Sequence, residues 1–184
     1  MSLSHQEAAS ALQDIAKTER RSFSAYGYKA AAPHLILWGV VWFGGYIGTY
    51  LFPAQSNWVW PALSLIGAAI STLTGMYSKP RGSVKFSWRI FFTWLAALGA
   101  IASVLAIFSP FNGMQIGSLF PLMIGWSYAI MGIWMGWRFI VAGLAIVALT
   151  LFSFFRLPPE QFLLCMAFLG GVILIGTGLW LRRA

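Results

Sequence analysis

The chain has 184 residues, of which 59% are hydrophobic and only 9% charged. A water-soluble domain carries about 25% charged residues, so this chain has too little polar surface for a solvated exterior, and lipid must replace water over most of it. The net charge is +8, yet the cations lie in short segments between apolar runs, not on a continuous basic face with stacking aromatics, which argues against nucleic acid as a partner.

The first element in chain order covers residues 1–32. Ala8, Leu12, Ile15, Phe23, Tyr26 and Ala30 fall at helical spacing, with Gln13, Lys17, Arg20 and Arg21 off that stripe. The pattern predicts an amphipathic cytoplasmic helix, basic near its end. Such a helix lies on anionic headgroups or docks a partner. It lacks the apolar core of a signal peptide, so the spans themselves carry the chain into the membrane.

Residues 33–184 predict a transmembrane domain of six helices, at about 33–53, 58–78, 88–109, 116–136, 138–155 and 161–181. Each is near the roughly 20 residues needed to cross about 30 Å of hydrocarbon. None has an Asp, Glu, Lys or Arg in its interior. Pro and Gly in the stretches Pro53–Asn57, Pro110–Gln115 and Arg156–Gln161 stop one helix before the next. The fourth and fifth are joined by "MGWR", which leaves almost no loop. The fold class is all-α: a polytopic membrane protein of six transmembrane helices in three hairpins, preceded by the amphipathic helix.

Charge placement orients the bundle. With a cytoplasmic amino terminus, Lys17, Arg20, Arg21, Lys29, Lys79, Arg81, Lys85, Arg89, Arg138, Arg182 and Arg183 lie inside, and only Arg156 lies outside. The positive-inside rule then places both termini in the cytoplasm. The chain belongs in a prokaryotic inner membrane.

The second helix of each hairpin ends in Gly-apolar-aromatic: "GAAISTLTGMY", "IGWSYAIMGIW" and "GGVILIGTGLW". Gly75, Gly132 and Gly178 align, as do Tyr77, Trp134 and Trp180. The first helices of the last two hairpins align as "WRIFFTWLA" on "WRFIVAGLA". With three hairpins and the ending "GGVILIGTGLWLRR", the chain resembles the HdeD-like membrane proteins, a family tied by name to acid resistance. The stretch "TERRSFSAYGYKAAAPHLILWG" is similar to the start of small uncharacterised bacterial membrane proteins. The resemblance implies a six-span, stress-related protein and carries no functional residues.

Lipid tails are as apolar as leucine, so helix association must come from close backbone packing and interhelical hydrogen bonds. Gly44 with Gly48, Gly125 with Ala129, Gly132 and Gly136, Ala96 with Gly99, Ala100 and Ser103, and Ala167 with Gly171 are the candidate seams. Trp88, Trp137 and Trp180 suit the inner interface, beside Arg89, Arg138, Arg182 and Arg183. Together with Arg20 and Arg21 these residues are the expected lipid-headgroup anchors, since Trp favours the headgroup layer and Arg extends from an apolar stem. The Trp-Arg pairs therefore read as orientation marks.

Ionisable residues at membrane depth mark proton relays and ion sites; this pattern has none. A polar track of Ser71, Thr74, Ser127, Tyr128 and Thr177 remains as a candidate pathway, against the plainer reading that each hydroxyl bonds its own helix. A haem or zinc site needs several ligands at fixed geometry; His5 is in the tail, His34 is at the inner lip of the first span, and Cys165 stands alone. No catalytic residue, metal site or cofactor is expected. The pattern points to a non-enzymatic membrane protein, accessory or stress-related, acting through self-association or a membrane partner. The alternative is a small homo-oligomeric channel or carrier for a neutral or apolar solute.

Overall fold

The computed structural model describes residues 5–77 and 110–183, together with 99, 101–104 and 107. These residues are almost wholly helical, and no strand occurs among them. Five helices are long and apolar enough to cross a membrane: Ala25–Leu51, Pro53–Tyr77, Gly113–Met135, Trp137–Arg156 and Pro159–Arg182. They match five of the six expected spans. The remaining expected span, 88–109, lies largely outside the described residues, as do Trp88 and Arg89.

Helix α1 runs from His5 to Leu51 without a break at residues 32–33. The expected amphipathic segment and the first span are thus one rod, about 70 Å long at about 1.5 Å per residue. Three consecutive alanines before Pro33 favour continuation, and the proline gives up only its own N–H bond. That is tolerated in a span whose freed groups find other partners. Leu12, Ile15 and Tyr26, on the expected apolar stripe, are exposed.

A 3₁₀ turn, Pro53–Gln55, leads into α2, Ser56–Tyr77. Helix α3, Gly113–Met135, starts with a capping box: the Asn112 side chain accepts from the Gln115 N–H, and the Gln115 side chain accepts from the Asn112 N–H, both at 2.8 Å. This satisfies two of the orphan groups at the helix start. Helix α4 is Trp137–Arg156. The last span is α5, Pro159–Cys165, a π-helical turn at Met166–Gly170, and α6, Gly171–Arg182.

Helix α1 is the centre of the packing. It lies against α2 on one side and against α6 and the π turn on another, while α3 pairs with α4. The two tightest seams are α3–α4 and α1–α6, and neither joins the two helices of one expected hairpin. The reason is that small residues face each other there on both helices. A Cβ added to Gly125 would sit 2.9 Å from the Gly143 carbonyl, one on Gly132 2.6 Å from the Ile140 nitrogen, and one on Gly143 2.5 Å from the Ala129 nitrogen. Across α1–α6, a Cβ on Gly39 would approach the Gly171 carbonyl to 2.9 Å, and one on Gly178 the Ala32 carbonyl to 2.8 Å. Backbone thus meets backbone, the close approach that membrane helices use in place of a hydrophobic drive. Gly44 and Gly48, expected as a seam, serve α1–α2: Val59 fills the space at Gly48 and Leu63 lies 3.5 Å from a Cβ at Gly44.

The α3–α4 connection is a single residue, Gly136, with φ of +123°. Only glycine takes that conformation without strain, which is how "MGWR" reverses the chain. At the opposite end of the bundle an aromatic core surrounds Tyr46, with Trp60 at 4.9 Å, Phe162 at 6.2 Å and Trp42 at 6.4 Å between ring centres. Pro121 in α3 cannot donate to the carbonyl four residues back, that of Gly117. The Tyr46 hydroxyl donates to this carbonyl instead, at 2.6 Å.

Helices α1 and α4 run one way and α2, α3 and α6 the other, and the two ends differ in charge. Lys29, Arg138, Arg182 and Arg183 share one end, hereafter the basic end. The other end carries the turn at Pro53–Gln55, Asn112, and the Arg156–Glu160 connection.

Candidate functional site

The densest polar arrangement at the basic end forms around Arg138, in the first turn of α4. Its guanidinium carbon lies 5.4 Å from the centre of the Tyr28 ring and 5.0 Å from that of Trp180. Its Nη1 donates to the Trp180 carbonyl at 3.1 Å. That carbonyl belongs to the last turn of α6, where its backbone partner is the Arg183 N–H at 3.3 Å and the helix dipole favours a cation. One side chain therefore ties together α1, α4 and α6. Phe139 supports the Tyr28 ring at 5.4 Å, and Trp137 meets Trp180 edge to face at 5.2 Å.

Arg138 was expected to be a headgroup anchor on the strength of its position beside Trp137. The structure places it half-buried in an aromatic grip. A guanidinium has five N–H donors, and the Trp180 carbonyl takes one. Arg182, the last residue of α6, and Arg183, its C-cap, are exposed. Arg20 and Arg21 lie within α1.

From Arg138 a furrow runs between α4 and α6 toward the middle of the bundle. Its volume is about 300 Å³, and it is open along one side. Val141, Ala142 and Ala145 form one wall; Val172, Ile173, Gly176, Thr177 and Trp180 form the other. The furrow exists because Ala142, Ala145 and Gly176 are small: a Cβ on Gly176 would meet nothing within 4 Å.

The residues of the expected polar track are spread over several faces. Ser71 faces α1, where its hydroxyl lies 2.6 Å from His34 Nδ1. Thr74 donates to the Ile70 carbonyl of its own helix at 2.8 Å. Ser127 is exposed on α3. Tyr128 packs on Phe139, with ring centres 6.1 Å apart. Thr177 lines the furrow. Helix α2 packs on α1 and has no comparable packing against α3 or α6, so the structure does not bring Ser71 and Thr74 into one row with the other three among the described residues. No group of three or more His, Cys, Asp and Glu side chains gathers among those residues either.

The His34–Ser71 pair and the Arg138 grip were not legible in the sequence. Each depends on which faces of the packed helices meet. The i, i+3, i+4, i+7 spacing of Arg138, Val141, Ala142 and Ala145 was visible, and it marks one face of a helix; the expected third hairpin paired α4 with the last span, but nothing visible said which face of α6 lies opposite or that Tyr28 of α1 joins them.

Comparison with protein-family models, with curated proteins and with solved structures gives no match.

Proposed function

We propose that this chain is a non-enzymatic integral membrane protein of six spans, accessory or stress-related, which acts through its outer surface by self-association or by binding a membrane partner. The observation that carries this reading is the closeness of the two main seams. Where backbone meets backbone at Gly125, Gly132, Gly143, Gly39 and Gly178, there is no space for a solute to pass between α3 and α4 or between α1 and α6. What the described helices offer a partner is their perimeter. Helix α2 offers most, since among the described long helices it packs chiefly on α1 and leaves Leu65 72% exposed.

Support for a sixth crossing is topological. Helix α2 ends near the basic end, beyond the Ser71–His34 contact, and α3 begins at the opposite end, where Gly117 meets Tyr46. A chain that leaves by one face and returns by the other favours an odd number of crossings between them. The expected span at 88–109 is long enough for one. Support for cytoplasmic termini in a prokaryotic inner membrane comes from the basic end itself: Lys29, Arg138, Arg182 and Arg183 gather there, and among the described residues Arg156 is the one Lys or Arg at the opposite end.

Cross-linking tests the reading directly. In a Cys165→Ala background, a cysteine at Leu65 should cross-link between copies in native-like bilayers, or to a second membrane protein in cells. Absence of both products rejects action through this face. A flux assay with the purified chain in liposomes tests the alternative: solute leak above that of empty vesicles would favour a channel or carrier. For topology, cysteines at Asn57 and Ser83 should label from opposite sides of the membrane, and same-side labelling would end the six-span arrangement.

A further inference from the structure

We propose that the furrow between α4 and α6 binds one anionic phospholipid, with an acyl chain along the furrow and the phosphate at its Arg138–Arg183 end. This rests on the membrane-spanning part of the reading above, not on self-association.

The first observation is a gradient along one track. Arg138 stands one turn before Val141 and Ala142 on α4, and Arg183 stands one turn beyond Trp180 on α6. Because α4 begins where α6 ends, both walls run out into a cation at the same end. The walls between are apolar and small, and the furrow is open to the surroundings along its length. A volume near the lower limit of ligand pockets, about 300 Å³, suits one chain better than a folded solute. Arg138 is already oriented by Tyr28 and Trp180. A held guanidinium with uncommitted N–H groups suits bidentate binding of a phosphate.

The second observation is independent of the cations. Thr177 is only 8% exposed, lines the furrow, and has no hydrogen-bond partner among the described residues. The other deeply buried hydroxyls behave differently. Ser118, Thr150 and Ser153 each donate to the carbonyl four residues back, at 2.7 Å. A donor left idle in hydrocarbon is costly. A diacyl lipid supplies the acceptor it lacks, because ester carbonyls lie directly below the phosphate. Thr177 is one turn deeper than Trp180, on the hydrocarbon side of the Arg138 contact.

Charge decides between this occupant and a second copy of the chain. A copy in the same membrane orientation would bring its own basic end against Arg138 and Arg183, cation on cation. An anionic headgroup neutralises them.

The test is native mass spectrometry of the full-length chain in mild detergent, stripped of lipid. It is titrated separately with phosphatidylglycerol, with phosphatidylcholine of the same chain length, and with inorganic phosphate. One phosphatidylglycerol should be retained per chain, in preference to phosphatidylcholine, with no retention of free phosphate. A Cβ at residue 176 would meet nothing within 4 Å, so Gly176→Leu grows into the furrow and should weaken retention about tenfold, the scale of two buried methylenes. Arg183→Gln should weaken it about fivefold, the scale of one interfacial cation. Thr177→Val, nearly the same shape, should also weaken it. None of the three should lower the melting temperature of the lipid-free protein. Equal retention of the two lipids would overturn the proposal, and so would retention that Gly176→Leu leaves unchanged, or binding of free phosphate as strong as that of the lipid. If Gly176→Leu instead splits a dimer while lipid retention persists, the furrow seats a second copy and the proposal fails.

Discussion

The Tyr46 hydroxyl bonds the one carbonyl, that of Gly117, that Pro121 leaves without its helical donor. A residue of α1 thereby repairs α3, and the two helices become interdependent at the end opposite the cations. Tyr46→Phe should cost about 1 kcal/mol, the net worth of such a bond, read as a lower midpoint in thermal or denaturant unfolding in detergent. The sharper expectation is coupling. In a Pro121→Ala background the restored N–H of residue 121 takes the Gly117 carbonyl, so Tyr46→Phe should cost markedly less. Equal costs in both backgrounds would show that the phenol is held by ring packing alone.

Gly136 should be irreplaceable. Its φ of +123° is strained for any other residue, and a Cβ there would collide with the Tyr28 hydroxyl. Gly136→Ala should destabilise by about 2–4 kcal/mol when backbone strain and the clash are combined. The expected readout is loss of monodisperse protein on size exclusion in detergent at ordinary growth temperature. Retention of wild-type yield and melting would contradict the tight one-residue turn.

Two glycines of similar helical position should respond oppositely to the same change. Gly143→Ala drives a methyl into the backbone of α3 at Gly125 and Ala129, so melting should fall. Gly176→Ala adds a methyl to open space and should be neutral or stabilising by up to about 1 kcal/mol, the difference in helix propensity. A shared response would mean that the α3–α4 seam is looser than described.

Removing the Arg138 guanidinium should loosen three helices together. Arg138→Gln loses both aromatic contacts and the bond to the Trp180 carbonyl, together about 1–3 kcal/mol. Arg138→Lys keeps the charge but not the planar fork, so it should recover part of the loss. Hydrogen exchange at the carboxyl-terminal turn of α6 should rise in both variants, more in the glutamine one. An unchanged exchange rate there would remove the tie.

His34 and Ser71 form one of two side-chain hydrogen bonds between α1 and α2 among the described residues; in the other, Trp60 Nε1–H donates to Thr49 Oγ1 at 3.0 Å. The coupling energy of His34 and Ser71, from a double-mutant cycle with His34→Ala and Ser71→Ala, should be about 0.6–1.7 kcal/mol, as for other hydrogen bonds between membrane helices. Coupling near zero would shift the polar hold on α2, among the described residues, to the Trp60–Thr49 bond.

The spans were readable because hydrocarbon imposes length and excludes charge, and both constraints act on contiguous sequence. Gly113–Met135, Trp137–Arg156 and Pro159–Arg182 lie within a few residues of their expected bounds for that reason. Pairing was harder to read, because it depends on which small residues meet. Gly75, Gly132 and Gly178 aligned in sequence, yet Gly132 and Gly178 touch a neighbouring backbone while a Cβ on Gly75 would meet nothing within 4 Å. The alignment did not distinguish a contact from a gap. Arg138 illustrates the same limit. Its neighbours in sequence suggested a headgroup anchor; the grip that orients it comes from Tyr28 and Trp180, 110 and 42 positions away.

The seam between α3 and α4 has a numerical property. Gly125 faces Val147, Ala129 faces Gly143, and Gly132 faces Ile140. Each pair is equidistant from residue 136, at eleven, seven and four positions on either side. The hairpin folds like a hinged ruler whose marks coincide only if the hinge keeps its length. One residue inserted after Gly136 would displace every mark on α4 and turn its small face by about 100°, away from α3. Substitutions along the seam can be compensated singly by their opposite numbers. A change of length cannot, so in this hairpin the reading frame of the turn is under tighter constraint than any side chain it brings together.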